Sequence, residues 1–240
     1  MGLNKSKGNM YPWITHTWNP LGGKCTHGCS YCSTNKFYYP NLVKKYSGEH
    51  ILIDKEIKTN LGGNNFIFVC AQNDLFADGV DYKIISEILS YLEKFNNKYL
   101  LQTKNPKNLI GYLQLLPSDH FKQITPKISH GTSICTTIET NRVYPDVMND
   151  CPTPKKRAEY FSLINNKMYE KYITIEPIMD FDLFEMVSLI RMCNPKQVNI
   201  GADSGNNNLP EPSKEKVLKL ILELEKFTIV KQKNNLKRLL

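Results

Sequence analysis

Lys24-Cys25-Thr26-His27-Gly28-Cys29-Ser30-Tyr31-Cys32-Ser33 sets three cysteines at gaps of three and two residues. That spacing lets one short loop present three thiolates to a single metal centre. Seven cysteines occur in 240 residues, and seven starting points with two further matches at about 3% each give a chance of only about 0.006. Two centres suit three thiolates without a fourth cysteine nearby. One is a Cys₃His zinc site using His27. The other is a [4Fe–4S] cluster, in which one iron stays open to a small molecule. His27 lies within the loop, two residues from Cys25 and two from Cys29, whereas zinc fingers more often separate their ligand pairs by a longer stretch. No second Cys-x-x-Cys and no His-x₃-His pair occurs in the chain. These features favour the cluster.

The pattern Cys-x₃-Cys-x-Tyr-Cys, with Tyr31 before the third cysteine, resembles the signature of the radical S-adenosylmethionine (SAM) superfamily. The resemblance implies that Cys25, Cys29 and Cys32 hold a [4Fe–4S] cluster whose open iron chelates the amino and carboxylate groups of SAM. Reductive cleavage then yields methionine and a 5′-deoxyadenosyl radical that abstracts hydrogen from a substrate. It also implies an external one-electron reductant of the flavodoxin or ferredoxin type, and places Tyr31 against the adenine.

The length suits one domain over residues 1–240, with a core at about 13–232 and a short basic tail. A content of 41% aliphatic and aromatic residues is ordinary for a globular protein. Apolar runs such as Phe66-Ile67-Phe68-Val69-Cys70-Ala71 are far too short to span a membrane. The N-terminus lacks the apolar core of a signal peptide. Cytoplasmic residence with reduced thiols is therefore expected, and an odd cysteine count argues against a complete disulfide framework. The net charge of +8 and pI near 9.0, with Lys155-Lys156-Arg157 and a Lys- and Arg-bearing tail, suit a nucleic acid or other polyanion as partner. A solvated, lysine-rich surface accounts for them equally well.

Short β-rich runs alternate with helical stretches, the pattern of βα units around a parallel sheet. Strands are expected at Trp13–Trp18, Phe66–Cys70, Tyr99–Thr103, Ile128–Cys135, Tyr172–Ile175 and Val198–Ile200, with a last one at Thr228–Lys231. Helices are expected at Tyr82–Phe95, Phe181–Met192 and Lys214–Phe227, the last capped by Ser213. Pro40–Asn65 reads as a connection over the surface. Six or seven such units fall short of a closed eight-fold barrel, and the expected fold is α/β, a partial (βα)₆ TIM-like barrel, which is also the radical SAM core fold.

Barrels of this kind carry their chemistry at the C-terminal ends of the strands, and the polar motifs fall there. After the second strand, Asn73-Asp74 resembles the Ser-Asp pair of spore photoproduct lyase and its relatives, which makes both candidates for the SAM ammonium. Asp74 also suits a helix N-cap. Lys104, before Asn105-Pro106, is a candidate for the SAM carboxylate, as a comparable lysine is in that group of enzymes; a surface lysine fits as well. Ser133 is a candidate for the SAM carboxylate or ribose. Glu176, before Pro177, is a candidate ribose or substrate contact, or a structural hydrogen-bonding group. Cys70 and Cys135 are candidate hydrogen-atom donors to a product radical, a role a cysteine has in spore photoproduct lyase. Small buried residues are the default reading of both.

Taken in order, Trp-Asn-Pro, Asn-Asp-Leu-Phe, Thr-Lys-Asn-Pro, Ile-Glu-Pro and Gly-Ala-Asp-Ser-Gly resemble an uncharacterised radical-SAM-like family common in bacteriophages, over about residues 13–232. That family usually has a longer gap between its first two cysteines. Here the gap is the ordinary superfamily one, which favours SAM chemistry. A nucleotide, or a base within DNA or RNA, is the expected substrate, with repair or modification as the process. Two other classes use the same cysteines: a zinc-knuckle nucleic-acid-binding protein, and an iron–sulfur electron carrier or redox sensor without SAM chemistry.

Overall fold

Seven apolar runs pair side by side, in chain order and all parallel, to build one sheet. The computed structural model describes residues 2–114, 131–165 and 167–240. Its strands are β1 (Asn4–Lys5), β2 (His16–Trp18), β3 (Leu21–Gly22), β4 (Ile51–Leu52), β5 (Phe66–Val69), β6 (Lys98–Thr103), β7 (Thr132–Thr137), β8 (Glu170–Ile175), β9 (Gln197–Ile200) and β10 (Ile229–Gln232). Its helices are α1 (Pro40–Lys45), α2 (Asp54–Ile57), α3 (Tyr82–Leu92), α4 (Pro106–Gln114), α5 (Pro145–Met148), α6 (Pro154–Ser162), α7 (Leu183–Cys193) and α8 (Lys214–Glu225). The sheet order is β1-β2-β5-β6-β7-β8-β9-β10, with only β1 antiparallel. Strand, helix, strand recurs around the sheet, so the architecture is the expected α/β partial barrel.

Successive side chains of a strand point to opposite faces, and here both faces are buried, as parallel sheets require. Ile67, Val69, Leu101, Ile134, Ile173 and Val198 meet Ile88, Met186, Ile190, Leu220 and Leu224 of the surrounding helices. The opposite face carries a second cluster, Tyr11, Ile14, Phe68, Leu100, Cys135 and Tyr172. Trp13 stacks on Tyr11 at 4.9 Å and meets Tyr172 edge-on at 5.8 Å. These rings pack against the inner face, and the Tyr11 hydroxyl donates to Gln102 Oε1 at 2.9 Å.

Capping sets the helix starts. Asp81 accepts from Lys83 N before α3, Thr153 from Lys156 N before α6, and Ser213 from Lys216 N before α8. α6 also has Pro154 at its first position, where a missing N–H costs nothing.

Several expectations are corrected. The first strand is only His16–Trp18, because Ile14 N bonds Tyr11 O and turns the chain below it. The fourth strand begins at Thr132 and runs on to Thr137; residues 128–130 of the expected strand lie outside the described residues. Pro40–Asn65 contains α1, α2 and a strand pairing back on β3. That hairpin packs so closely that a side chain on Gly23, at φ 90°, would overlap the Glu49 carbonyl. Arg157, read as part of an exposed basic run, is completely buried. Among the described residues no helix is long and apolar enough to cross a membrane.

Trp18 anchors this frame: fully buried, it stacks on Tyr91 at 5.5 Å and donates from Nε1 to Glu56 O at 3.2 Å. Trp18→Ala should lower the unfolding free energy by about 3–5 kcal/mol, measured by denaturant titration; a loss below about 1 kcal/mol would contradict this packing.

Candidate active site

The cysteine loop leaves β2 and β3 at the C-terminal end of the sheet and docks on α5. Ser30 N bonds Val147 O at 3.0 Å, Asp150 N bonds His27 O at 3.2 Å, and Asn149 Nδ2 bonds Gly28 O at 2.7 Å. Asn35 Nδ2 reaches Cys29 O at 3.0 Å, closing the loop on itself. Cys25, Cys29 and Cys32 all border one cavity of about 290 Å³. Asn73, Asp74, Lys104 and Cys70 border the same cavity, so the structure brings six of the expected polar and thiol positions around it besides Cys32. Among the described residues no three Cys, His, Asp or Glu side chains stand at metal-holding spacing. Cys29 is turned instead toward Cys151, with their sulfurs 3.2 Å apart.

Asp74 ties the loop to the strands. Its Oδ2 meets His27 Nε2 at 2.8 Å, Lys104 N at 2.7 Å and Thr103 Oγ1 at 3.0 Å, and its Oδ1 accepts from Phe76 N at 3.0 Å. Burial presses this carboxyl upward, but His27 and the N–H and O–H donors outweigh it and hold Asp74 below the usual carboxylate range. Four partners nearly exhaust the lone pairs of a carboxylate. Asn73 acts beside it, accepting from Asp74 N at 2.9 Å and donating to Gly23 O at 3.0 Å.

A second group of charges lies behind the cavity, which Lys104 alone of its members borders. Lys104 Nζ lies 3.5 Å from Cys29 Sγ, 3.8 Å from Glu139 Oε1 and 4.7 Å from the Tyr31 ring centre. Tyr31 donates its hydroxyl to Glu139. Arg157 Nη1 bonds Glu139 Oε2 at 2.7 Å and Thr137 O at 2.9 Å, and both members of this ion pair are fully buried. Burial would lower the Lys104 ammonium, yet Cys29, Tyr31 and Glu139 hold it above the usual lysine range. The Cys151 thiol and the Lys104 ammonium together bring the Cys29 thiol down to about 5.

Glu139, Arg157 and Cys151 are the residues sequence reasoning missed. Glu139 follows an apolar strand just as Asp74 and Glu176 do, so the same rule could have found it. Nothing local marks Arg157 or Cys151.

Other positions are not brought here. Ser133 is the second residue of β7, buried near the N-terminal end of the sheet. Cys135 lies in the inner apolar cluster beneath the cavity. Cys70 is a cavity residue in the left-handed region at φ 56°, its thiol pushed up to about 12 by burial. Glu176 belongs to a separate cluster where β8, β9 and β10 end. It accepts from Asn9 Nδ2 at 2.7 Å, from Asn235 Nδ2 at 3.0 Å and from Lys233 Nζ.

Solved structures share this architecture. Against a spore photoproduct lyase variant the TM-score is 0.61 at 11% identity, covering 93% of this chain and 78% of that one. Against a variant of that enzyme with bound AdoMet and dinucleoside spore photoproduct it is 0.60 at 12% identity, covering 95% and 80%. Against Streptococcus suis SuiB bound to S-adenosylmethionine it is 0.54 at 11% identity, covering 90% and 49%. At such identities the likeness is one of fold, and the fold is the partial barrel of radical SAM enzymes. The chain belongs to the family described as protein of unknown function DUF5131, whose model matches residues 9–214. No curated protein sequence matches it.

Two measurements check this geometry. Arg157→Met should cost about 3–5 kcal/mol of stability by leaving Glu139 buried with a weaker partner, and adding Glu139→Leu should recover much of it; additive losses would contradict the pairing. After mild peroxide treatment of metal-free protein, non-reducing peptide mapping should recover Cys29 linked to Cys151, and a predominant Cys25–Cys32 link would refute the contact.

Proposed function

We propose that this protein is a radical SAM enzyme and that the whole chain acts as one unit. The observation that carries the reading is the convergence of Cys25, Cys29 and Cys32 on one cavity at the C-terminal end of a partial barrel. The donor set fits a [4Fe–4S] cluster: three thiols border the cavity and the loop holds no fourth cysteine. His27 Nε2 faces Asp74, which favours this cluster over a Cys₃His zinc site. When bound there, the cluster supplies one-electron reduction of the SAM sulfonium, releasing methionine and a 5′-deoxyadenosyl radical able to take a hydrogen atom.

The residues around it divide the remaining work. Lys104, a cation beside Cys29, is suited to hold the SAM carboxylate, and Asn73 the amino group. Asp74 orients Lys104 and His27 through hydrogen bonds rather than contacting the cofactor directly. Tyr31, fixed by Glu139, offers its ring to the adenine. Of the two candidate hydrogen-atom donors Cys70 is favoured, because it borders the cavity and Cys135 does not. Ser133 and Glu176 stand apart from this cavity and take no cofactor role in the reading. The relative solved with a dinucleoside photoproduct and the net charge of +8 favour a nucleotide or nucleic-acid base as substrate. A one-electron donor of the flavodoxin or ferredoxin type and an oxygen-poor, reducing compartment such as the cytoplasm complete the picture.

Anaerobic reconstitution with iron and sulfide, followed by SAM and dithionite, should release 5′-deoxyadenosine, and Cys29→Ala should abolish it. Lys104→Ala should weaken SAM binding about 10- to 100-fold, the loss expected for one charge-assisted hydrogen bond. Stoichiometric zinc with no iron–sulfur chromophore, or full activity in Cys29→Ala, would overturn the reading.

A further inference from the structure

Directly beyond the cysteine loop the chain leaves the cavity rim at Asn35 and returns to it at Tyr46. The excursion between them carries Tyr38 and Tyr39, whose side chains are 75% and 57% exposed and whose ring centres lie 4.2 Å apart. Two neighbouring aromatic rings held in water, between two stretches of chain that border the cavity, contribute nothing to the core. The backbone that carries them is nonetheless held in place. Tyr39 is the N-cap of α1, followed by Pro40, and its carbonyl accepts from Leu42 N at 2.9 Å and Val43 N at 3.0 Å. Phe37 N is bonded to Thr34 O on the other side. Backbone ordered before binding has less entropy to lose on contact with a ligand.

The stretch of sequence that carries these rings is charged with one sign only. Residues 1–48 contain Lys5, Lys7, Lys24, Lys36, Lys44 and Lys45 and no acidic residue, the first being Glu49. Lys45 is paired with Glu56. Lys24, at the cavity edge, and Lys44, at the end of α1, are exposed, and Lys36 donates to the Gly205 carbonyl, a neutral partner. Among the described residues these three lysines form no ion pair with a carboxylate.

Stacking rings beside uncompensated cations is the pairing that single-stranded nucleic acids require, since every base offers a π-face and every linkage a negative charge. We infer that Tyr38 and Tyr39, with Lys24, Lys36 and Lys44, form a platform that binds a single-stranded or unstacked stretch of nucleic acid and delivers a base to the adjacent cavity. An acidic peptide would satisfy the lysines but leave the rings unused. The delivery part rests on the enzymatic reading above; the binding part does not.

The test uses the full chain without SAM or reductant, so that it reads binding whether or not cofactor chemistry occurs. Fluorescence anisotropy with labelled single-stranded dT and rU oligonucleotides should show affinity that falls about 5- to 100-fold in Tyr38→Ala and in Tyr39→Ala, the loss of one stacked base. Tyr38→Phe, which keeps the ring, should retain affinity within about 2-fold. Lys44→Ala should lower the slope of log affinity against log salt by about 0.7, one phosphate contact on a single strand. Unchanged affinity in a Tyr38→Ala/Tyr39→Ala double variant that melts like the parent, equal competition by polyglutamate, or no binding to either oligonucleotide would overturn the proposal. Binding lost as expected but with no 5′-deoxyadenosine formed in any condition would refute the enzymatic reading and leave the platform standing.

Discussion

A single buried carboxylate, that of Asp74, joins the three parts on which the cavity depends. It takes the His27 ring from the cysteine loop, the Thr103 hydroxyl and Lys104 amide from the end of β6, and the Phe76 amide from its own turn. Hydrogen bonds to an ionised acceptor are roughly twice as strong as neutral ones, and this one collects four in a dry setting. The loop, the lysine and the strand ends are thereby held in fixed relation. Replacing the acceptor would free all three at once, because each donor would be left buried and unsatisfied.

Glu139 plays the corresponding part behind the loop. Arg157 neutralises it, and Tyr31 and Lys104 also meet it. Two acids thus fix the loop from two directions, one through His27 and one through Tyr31. The loop is positioned by these charged contacts, by the backbone of α5, and by an apolar cluster in which Cys29 packs with Met148, Cys151 and Met179.

What could be read beforehand follows from how local each signal is. The apolar runs of β5 and β9 and the Ser213 cap are written within a few residues, and they match what is seen. Ser133 was misplaced because the expected strand ended at Cys135; with β7 continuing to Thr137, the same residue falls near the opposite end of the sheet. A shift of two positions leaves the face unchanged but moves a side chain by a full pleat repeat. Arg157 looked like one of three surface cations, since its carboxylate partner lies 18 positions away in sequence. Cys151 is farther still from Cys29, 122 positions, and such pairings arise only when the chain closes on itself. The cavity itself belongs to this kind: its walls come from five separate stretches, 23–35, 46–48, 68–74, 102–104 and Thr137, none of which announces the others.

The inner-face rings also have a consequence for assembly. Tyr11, stacked on Trp13 near the start of the chain, lies under the Lys233 ammonium at 4.5 Å near its end. A clasp between such distant segments can form only once nearly the whole chain is present, so synthesis must be almost finished before these two ends can grip each other.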